Sequence, residues 1–374
     1  MAEKDILEVK EFIVSEQGPS IKKEKESEKE KEFLEILKMF APGTFLRSAL
    51  DDLLGARMGA LIVVENDLTH KVVEKGFKIN SKFSTQKLVE LAKMDGAIIL
   101  SNDLKKIIYA NAFLFPSVEV KTKETGIRHK SAERTARQTG ALVIAVSERK
   151  NKITIYRGDL RYELKESSEI LRRAAETLQI LEKQREIYNG LISNLNILEI
   201  ENLVTTNDLC NILQRLEIIK RISGIVKRYL IELGKEGMVV SMRLKELVGN
   251  LHKEEEMILK DYFGIKSLII REALEKNSFD SILELTNVIK TIFGEVNEKN
   301  ISPRGLRLLS KTNIPEISLN NLINNYKDLN HILSLDETEL LEVFEDKDLF
   351  NSFNKKLFNL REKIVMGKDI SNLI

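Results

Sequence analysis

Leu91-Ala92-Lys93-Met94-Asp95-Gly96-Ala97-Ile98-Ile99-Leu100 passes from a helical pattern through an Asp-Gly turn into a run of four apolar residues. An apolar run this short, bounded by turn residues, suits a strand covered on both faces. The same pattern recurs at residues 60–64, 107–110, 142–146 and 153–156, and helix-like segments lie around the runs at 33–40, 46–56, 85–94 and 132–139. Gly140 follows the last of these, where glycine commonly ends a helix. The interleaving predicts an α/β domain over residues 33–165, and the expected arrangement is a mixed central sheet flanked by helices.

Outward from this domain the composition shifts twice. Upstream, residues 21–32 are almost wholly Lys and Glu, behind the chain-breaking pair Gly18-Pro19, so residues 1–32 are expected to be a solvated, charged linker. Downstream, Leu171, Ala174, Leu178, Leu181, Arg185, Tyr188, Ile192 and Leu195 trace a heptad seam. A helix over 168–198 would be about 46 Å long at 1.5 Å per residue, a length suited to a spacer. Arg185 interrupts the seam, as a charged residue does when it snorkels or sets a register. Further helical patterns at 207–233, 238–251 and 254–262 extend an all-α spine over 166–300. After Ile301-Ser302-Pro303-Arg304-Gly305, short helices at 318–325, 328–333, 336–344 and 349–361 make up a small module, residues 301–374.

Composition excludes more than it selects. With 59 basic and 58 acidic residues the net charge is +1, so any nucleic-acid contact must come from a local patch. The lone cysteine, Cys210, can form neither an intrachain disulfide nor a metal cluster and reads as a buried thiol within a helix. No apolar run approaches the ~20 residues that span a bilayer, and residues 1–14 lack the pattern of a signal peptide. A soluble, cytoplasmic protein is the expectation.

Two local arrangements carry chemistry. Asp95-Gly96-Ala97 puts a carboxylate where a helix gives way to a strand. There it can hold a divalent metal or accept a proton, and Gly96 lets a nucleotide approach the backbone. Asp-Gly is equally an everyday turn. The second is Thr125-Gly126-Ile127-Arg128-His129-Lys130-Ser131, followed by Ala132-Glu133-Arg134. Cationic side chains and hydroxyls at a helix start form a cradle for a triphosphate. A solvated basic turn, with Glu133 and Arg137 paired one turn apart, is the alternative. Neither a Gly-rich loop ending in Lys-Ser/Thr nor Gly-x-Gly-x-x-Gly is present.

Taken in order, Ala41-Pro42-Gly43-Thr44 with Leu46-Arg47, Gly59-Ala60-Leu61-Ile62-Val63, the stretch from Leu91 to Ile98, Tyr109-Ala110-Asn111, and Glu124-Thr125-Gly126 with Arg128-His129 and Ala132-Glu133-Arg134 closely resemble the DNA-integrity-scanning family of diadenylate cyclases. The likeness covers the whole α/β region. It extends more loosely to the spine and to Ser302-Pro303-Arg304-Gly305 with Leu308-Leu309.

The resemblance implies condensation of two ATP into cyclic di-AMP and two pyrophosphates at a two-fold subunit interface, in a homo-oligomer, by analogy an octamer. By the same resemblance Asp95 binds Mg²⁺ or Mn²⁺ and helps activate the 3′-hydroxyl. Gly96 and Ala97 meet the nucleotide, and Leu114 meets the adenine through its main chain, although plain core packing explains a leucine there equally well. Arg128 and His129 hold phosphates, joined by Lys130, Ser131 and Ser147, and Ile127 is part of the same ATP-binding turn. The family usually has Thr, Arg and Thr where this chain has Ile127, Lys130 and Ser131. Ser131 keeps a hydroxyl, Lys130 trades a planar fork for a point charge, and Ile127 loses a hydrogen-bonding group.

Relatives end in a helix-hairpin-helix module whose Gly-containing turn presents amides to branched DNA such as a Holliday junction. The matching stretch here, residues 343–349, has no Gly and three carboxylates, and the other candidate, 314–318, is also short of Gly and of positive charge. Two alternatives to a DNA-coupled cyclase follow: a DNA-binding scaffold whose nucleotide site has degraded, and a cyclase that has lost DNA control.

Overall fold

The computed structural model describes residues 23–74, 76–326, 328–344 and 347–367. They fall into two compact units, residues 23–173 with 228–239, and residues 174–227 with 240–367.

The first unit opens with α1 (Lys23–Met39) and α2 (Phe45–Gly55). Residues 23–32 are therefore helix, where their charge alone suggested a solvated linker. Lys and Glu are good helix formers, and the chain's next turns bury Ile36 and Leu37, so the polar stretch is carried by the apolar one. Glu30 to Arg228 and Glu32 to Arg157, each 2.8 Å, tie its solvent side, and Phe33 meets Tyr162 edge-on at 5.1 Å. Residues 1–22 of the expected extension lie outside the described residues.

Eight strands follow: β1 (Ala60–Val64), β2 (Val73–Glu74), β3 (Phe77–Lys82), β4 (Ala97–Leu100), β5 (Lys106–Leu114), β6 (Val143–Ser147), β7 (Lys152–Arg157) and β8 (Leu160–Leu164). Between them lie α3 (Thr85–Leu91) and α4 (Ile127–Thr139). Strand order is β2-β5-β4-β1-β6-β7-β8, with β3 also on β5. Only β1 and β4 pair in parallel (Ile62 opposite Ile98), so the sheet is mixed, as expected. Strands β2, β3 and β8 escape an apolar-run reading because they are short or half exposed; β3, Phe-Lys-Ile-Asn-Ser-Lys, alternates polar residues at the sheet's edge.

Side-chain alternation splits the core in two. Ala60, Ile62, Val64, Ile98, Leu100, Ile144 and Val146 face Leu46, Ala49, Leu50 and Leu53 of α2 and Leu88 of α3. Leu61, Val63, Ala97, Ile99, Ala112, Val143, Ala145 and Tyr156 face Ala132 and Ala136 of α4. Helix α4 starts five residues before its apolar periodicity does, because its first turn, Ile127-Arg128-His129-Lys130, packs nothing into the core.

The second unit is helical. It holds most of α5 (Ser167–Ile200), α6 (Thr206–Leu233) and α7 (Met238–Val248), and all of α8 (Leu251–Phe263), α9 (Ser267–Lys276), α10 (Phe279–Leu283) and α11 (Leu285–Phe293). Seam residues Ala174, Leu178, Leu181, Tyr188 and Leu195 are buried, and so is Cys210. Arg185 lies over the Tyr188 ring at 5.1 Å and reaches Glu254 at 3.4 Å. Beyond Pro303 come α12 (Leu306–Leu309), α13 (Glu316–Asn325), α14 (Leu329–Leu333), α15 (Glu337–Phe344) and α16 (Lys347–Val365). Their own core, including Leu309, Leu322, Ile332, Phe344 and Phe353, also takes in Ile197 and Ile200 of α5. Of the acidic turn at 343–349, residues 345 and 346 lie outside the described residues.

Candidate nucleotide site

Strand register decides where the chemistry gathers. Parallel pairing puts the starts of β1 and β4 at one end of the sheet, and antiparallel pairing brings the ends of β5 (Ala97 opposite Ala112) and β6 (Ala60 opposite Val146) to the same end. Gly59, Asp95-Gly96, Leu114 and Ser147 therefore share one rim. Ala97 and Leu114 also belong to the face covered by α4, whose first turn carries Arg128 and His129.

Gly96 sits at φ +87°, and a Cβ there would come within 2.9 Å of the Ala112 carbonyl oxygen and of Asn111 Oδ1. No side chain fits, so the turn presses against β5 and leaves the Asp95 carboxylate outside. Asp95 is exposed and makes no hydrogen bond or ion pair with any described residue. Ala97 is fully buried and can offer a ligand only its backbone. Leu114 packs its side chain against the core and pairs with Val73, so it too has only main-chain groups to offer.

The cationic turn is held from three sides. Arg128 crosses above Gly59, where a Cβ would lie 1.9 Å from its Nη1, and donates to the Val146 carbonyl at 3.3 Å. That contact brings it beside Ser147, whose hydroxyl accepts from the Lys150 amide at 3.3 Å. His129 lies edge-on to Tyr156, ring centroids 6.5 Å apart. Tyr156 Oη donates to Glu124 Oε1 at 2.9 Å, and Arg161 Nε donates to the same oxygen at 2.6 Å. Glu133, buried in α4, accepts from Thr122 Oγ1 and, at 3.2 Å, from the Lys123 amide, while pairing with Arg137 at 3.0 Å. The Glu133–Arg137 pair expected of a bland basic turn is thus real, yet it braces the loop that leads into the cradle.

Gly126 caps α4 with extended backbone and no side-chain cap, and the first helical bond runs from the Lys130 amide to the Gly126 carbonyl at 2.8 Å. Amides 127–129 are left to face an anion, at the positive end of the helix dipole. Lys130 and Ser131 are half-buried in this turn, whereas Ile127 is 88% exposed and brings no polar side-chain group. Burial pushes the His129 imidazole below its usual range; the Glu124 charge opposes this, and Arg128, Lys150 and Arg161 reinforce it. Burial also works to raise Glu124, but the hydrogen bonds from Arg161 and Tyr156 outweigh it and hold the carboxylate ionised.

Among the described residues no three His, Cys, Asp or Glu side chains group as a metal site. A lone open carboxylate fits a hard cation that arrives on a triphosphate, since Mg²⁺ typically takes one or two carboxylates and draws its other ligands from phosphates and water. Gly59, Glu124, Tyr156 and Arg161 were not assigned roles from sequence. Gly59 and Glu124 stand within the quoted motifs, but only the fold reveals what they touch.

This geometry is that of a nucleotide-binding domain, here joined to a helical linker region. Two family models match accordingly: one described as DisA bacterial checkpoint controller nucleotide-binding, over residues 47–160, and one described as DisA bacterial checkpoint controller linker region, over residues 164–300. The chain is 45% identical over 326 residues to the DNA integrity scanning protein DisA of Acetivibrio thermocellus, covering 84% of this chain and 90% of that one. It is 40% identical over 351 residues to DisA of Clostridioides difficile, covering 91% and 98%. The chain belongs to the DisA family. Among the described residues no helix is long and apolar enough to cross a membrane.

Proposed function

We propose that the chain is a diadenylate cyclase that joins two ATP into cyclic di-AMP. One observation carries the reading: an unpaired carboxylate at Asp95, a backbone cleared by Gly96, and the Arg128-His129 turn meet at a single rim of the sheet. In this reading the Arg128 guanidinium, His129, Lys130, Ser131, Ser147 and the open amides at the start of α4 hold the triphosphate. The Leu114 main chain meets the adenine, and Ile127 leaves the phosphates to its neighbours. Asp95 would hold Mg²⁺ or Mn²⁺, which when bound neutralises charge developing on the α-phosphate.

Each 3′-hydroxyl oxygen attacks the other nucleotide's α-phosphorus. One phosphodiester bond forms, the α–β bridging P–O bond breaks, pyrophosphate leaves, and the hydroxyl proton passes to Asp95 or water. The event happens twice. Two copies facing across a two-fold axis align both attacks, so orientation and charge stabilisation supply most of the acceleration, and assembly as a homo-oligomer is part of the proposal. The name of the relatives further suggests that the activity answers to DNA integrity, and branched DNA is the partner that the family resemblance implies. Against direct contact through the 343–349 turn stands its composition, which is acidic and lacks Gly.

Incubation of the purified chain with ATP and Mn²⁺, with and without Holliday-junction DNA, tests both parts. Cyclic di-AMP that falls on adding the junction supports a DNA-coupled cyclase. Product indifferent to the junction leaves a cyclase without DNA control. Salt-sensitive junction binding without turnover would replace the proposal by a scaffold.

A further inference from the structure

Glu124 is an acidic side chain in the loop that leads into the cationic turn, and it faces the sheet. Its Oε1 takes the Tyr156 hydroxyl at 2.9 Å from β7 and the Arg161 guanidinium at 2.6 Å from β8, and His129 rests edge-on against that same tyrosine ring. On its chain side the Glu124 amide donates to Thr122 Oγ1 at 3.1 Å, Thr122 is held in turn by Glu133 of α4, and two residues later Gly126 caps that helix. One carboxylate thus connects two strands of the sheet to the loop that launches Arg128 and His129.

We propose that Glu124 is a positioning residue of the adenylyl-transfer site: by gripping Tyr156 and Arg161 through one oxygen it fixes the wall on which His129 rests and the point at which the phosphate-holding turn leaves the sheet. The inference rests on the cyclase reading. A carboxylate beside a phosphate site would ordinarily repel the substrate. Here Arg161 neutralises it and both donors approach the same oxygen, so its effect reaches the substrate through His129 and the loop. The charged and titratable groups facing His129 are Glu124, Arg128, Lys150, Arg161 and, through its ring, Tyr156. Within that set only Glu124 favours the imidazolium.

The test uses the full chain carrying ¹³C-labelled histidine, whose four residues give few enough signals to follow, with His129 assigned by its loss in His129→Gln. Histidine titration and steady-state cyclic di-AMP formation are measured for wild type, Glu124→Gln and Arg161→Met. Glu124→Gln is expected to move the His129 titration down and Arg161→Met to move it up. Turnover in Glu124→Gln should fall roughly tenfold or more, with KM changed less than about threefold, the pattern of lost positioning rather than lost binding. A general structural role would not move His129 in opposite senses in the two variants. Titrations that stay put in both variants overturn the inference, and so does a shifted titration with unchanged turnover. Should Glu124→Gln not fold, Arg161→Met decides alone by the same two readouts. A wild type that makes no cyclic di-AMP but shows the shifts would instead defeat the cyclase reading.

Discussion

Each unit contains a carboxylate, a glycine with positive φ and an arginine brought close in space, and the two groupings are opposites. In the helical unit Asp261 is fully buried and accepts from the amides of Gly305, Leu306 and Arg307 at 2.7, 2.9 and 3.0 Å. The Arg307 guanidinium is buried beside it and forks onto Glu199 at 3.2 and 2.6 Å, and Tyr262 donates to Glu199 at 2.8 Å. The α/β unit leaves Asp95 exposed and unpaired among the described residues, while Arg128 spends a single hydrogen bond on a carbonyl. Charge that the protein has satisfied holds elements together, and charge left open is free to take a ligand.

Breaking the satisfied grouping should cost the most. Glu199→Ala strands a buried guanidinium, and chemical denaturation should report about 3–5 kcal/mol of lost stability in the helical unit; a loss under about 1 kcal/mol would mean that Arg307 finds water or another partner. Next comes Gly59→Ala, which drives a methyl into the Arg128 guanidinium. Turnover of ATP should fall on the order of 100-fold, as displacements of about 1 Å in an active site do, with the melting temperature nearly unchanged.

A smaller effect is expected from pH. Burial and the Glu199 charge push the Asp261 carboxyl up to about 6, against its amide donors and Arg307. Its native pKa lies above the unfolded value, so its stabilising contribution is complete below about pH 4 and is lost as pH rises through about 6. Stability profiles of wild type and Asp261→Asn between pH 4 and 7 should therefore differ in slope, wild type losing more as pH rises; parallel profiles would show that Asp261 keeps an ordinary pKa. The smallest change is predicted for the fold of Asp95→Asn, whose unfolding free energy should stay within about 0.5 kcal/mol of wild type.

The open grouping was the more legible in sequence. Asp95-Gly96-Ala97 and Arg128-His129 could be picked out because the chemistry of an unpaired site is written in local residue types, and the buried runs of β1 and β4 were bounded to the residue. Partnerships made across the fold were hidden. Nothing near Glu124 in sequence announces Tyr156 or Arg161, which are more than thirty residues away. Asp261 sits in an ordinary amphipathic helix until Gly305 and Arg307 fold onto it. Only the first turns of helix α1, residues 23–32, escape a helical reading, because their charge hides a dependence on the apolar residues that follow them.

The most direct test of the account is the initial rate of cyclic di-AMP release at saturating ATP and Mn²⁺ for wild type and Asp95→Asn, each confirmed folded. The account predicts robust product from wild type and a fall of roughly 1000-fold or more in the variant, since the amide keeps the shape of the side chain and loses the charge. A variant that keeps more than about a tenth of the wild-type rate would contradict the assignment of Asp95, and with it the site built around that carboxylate.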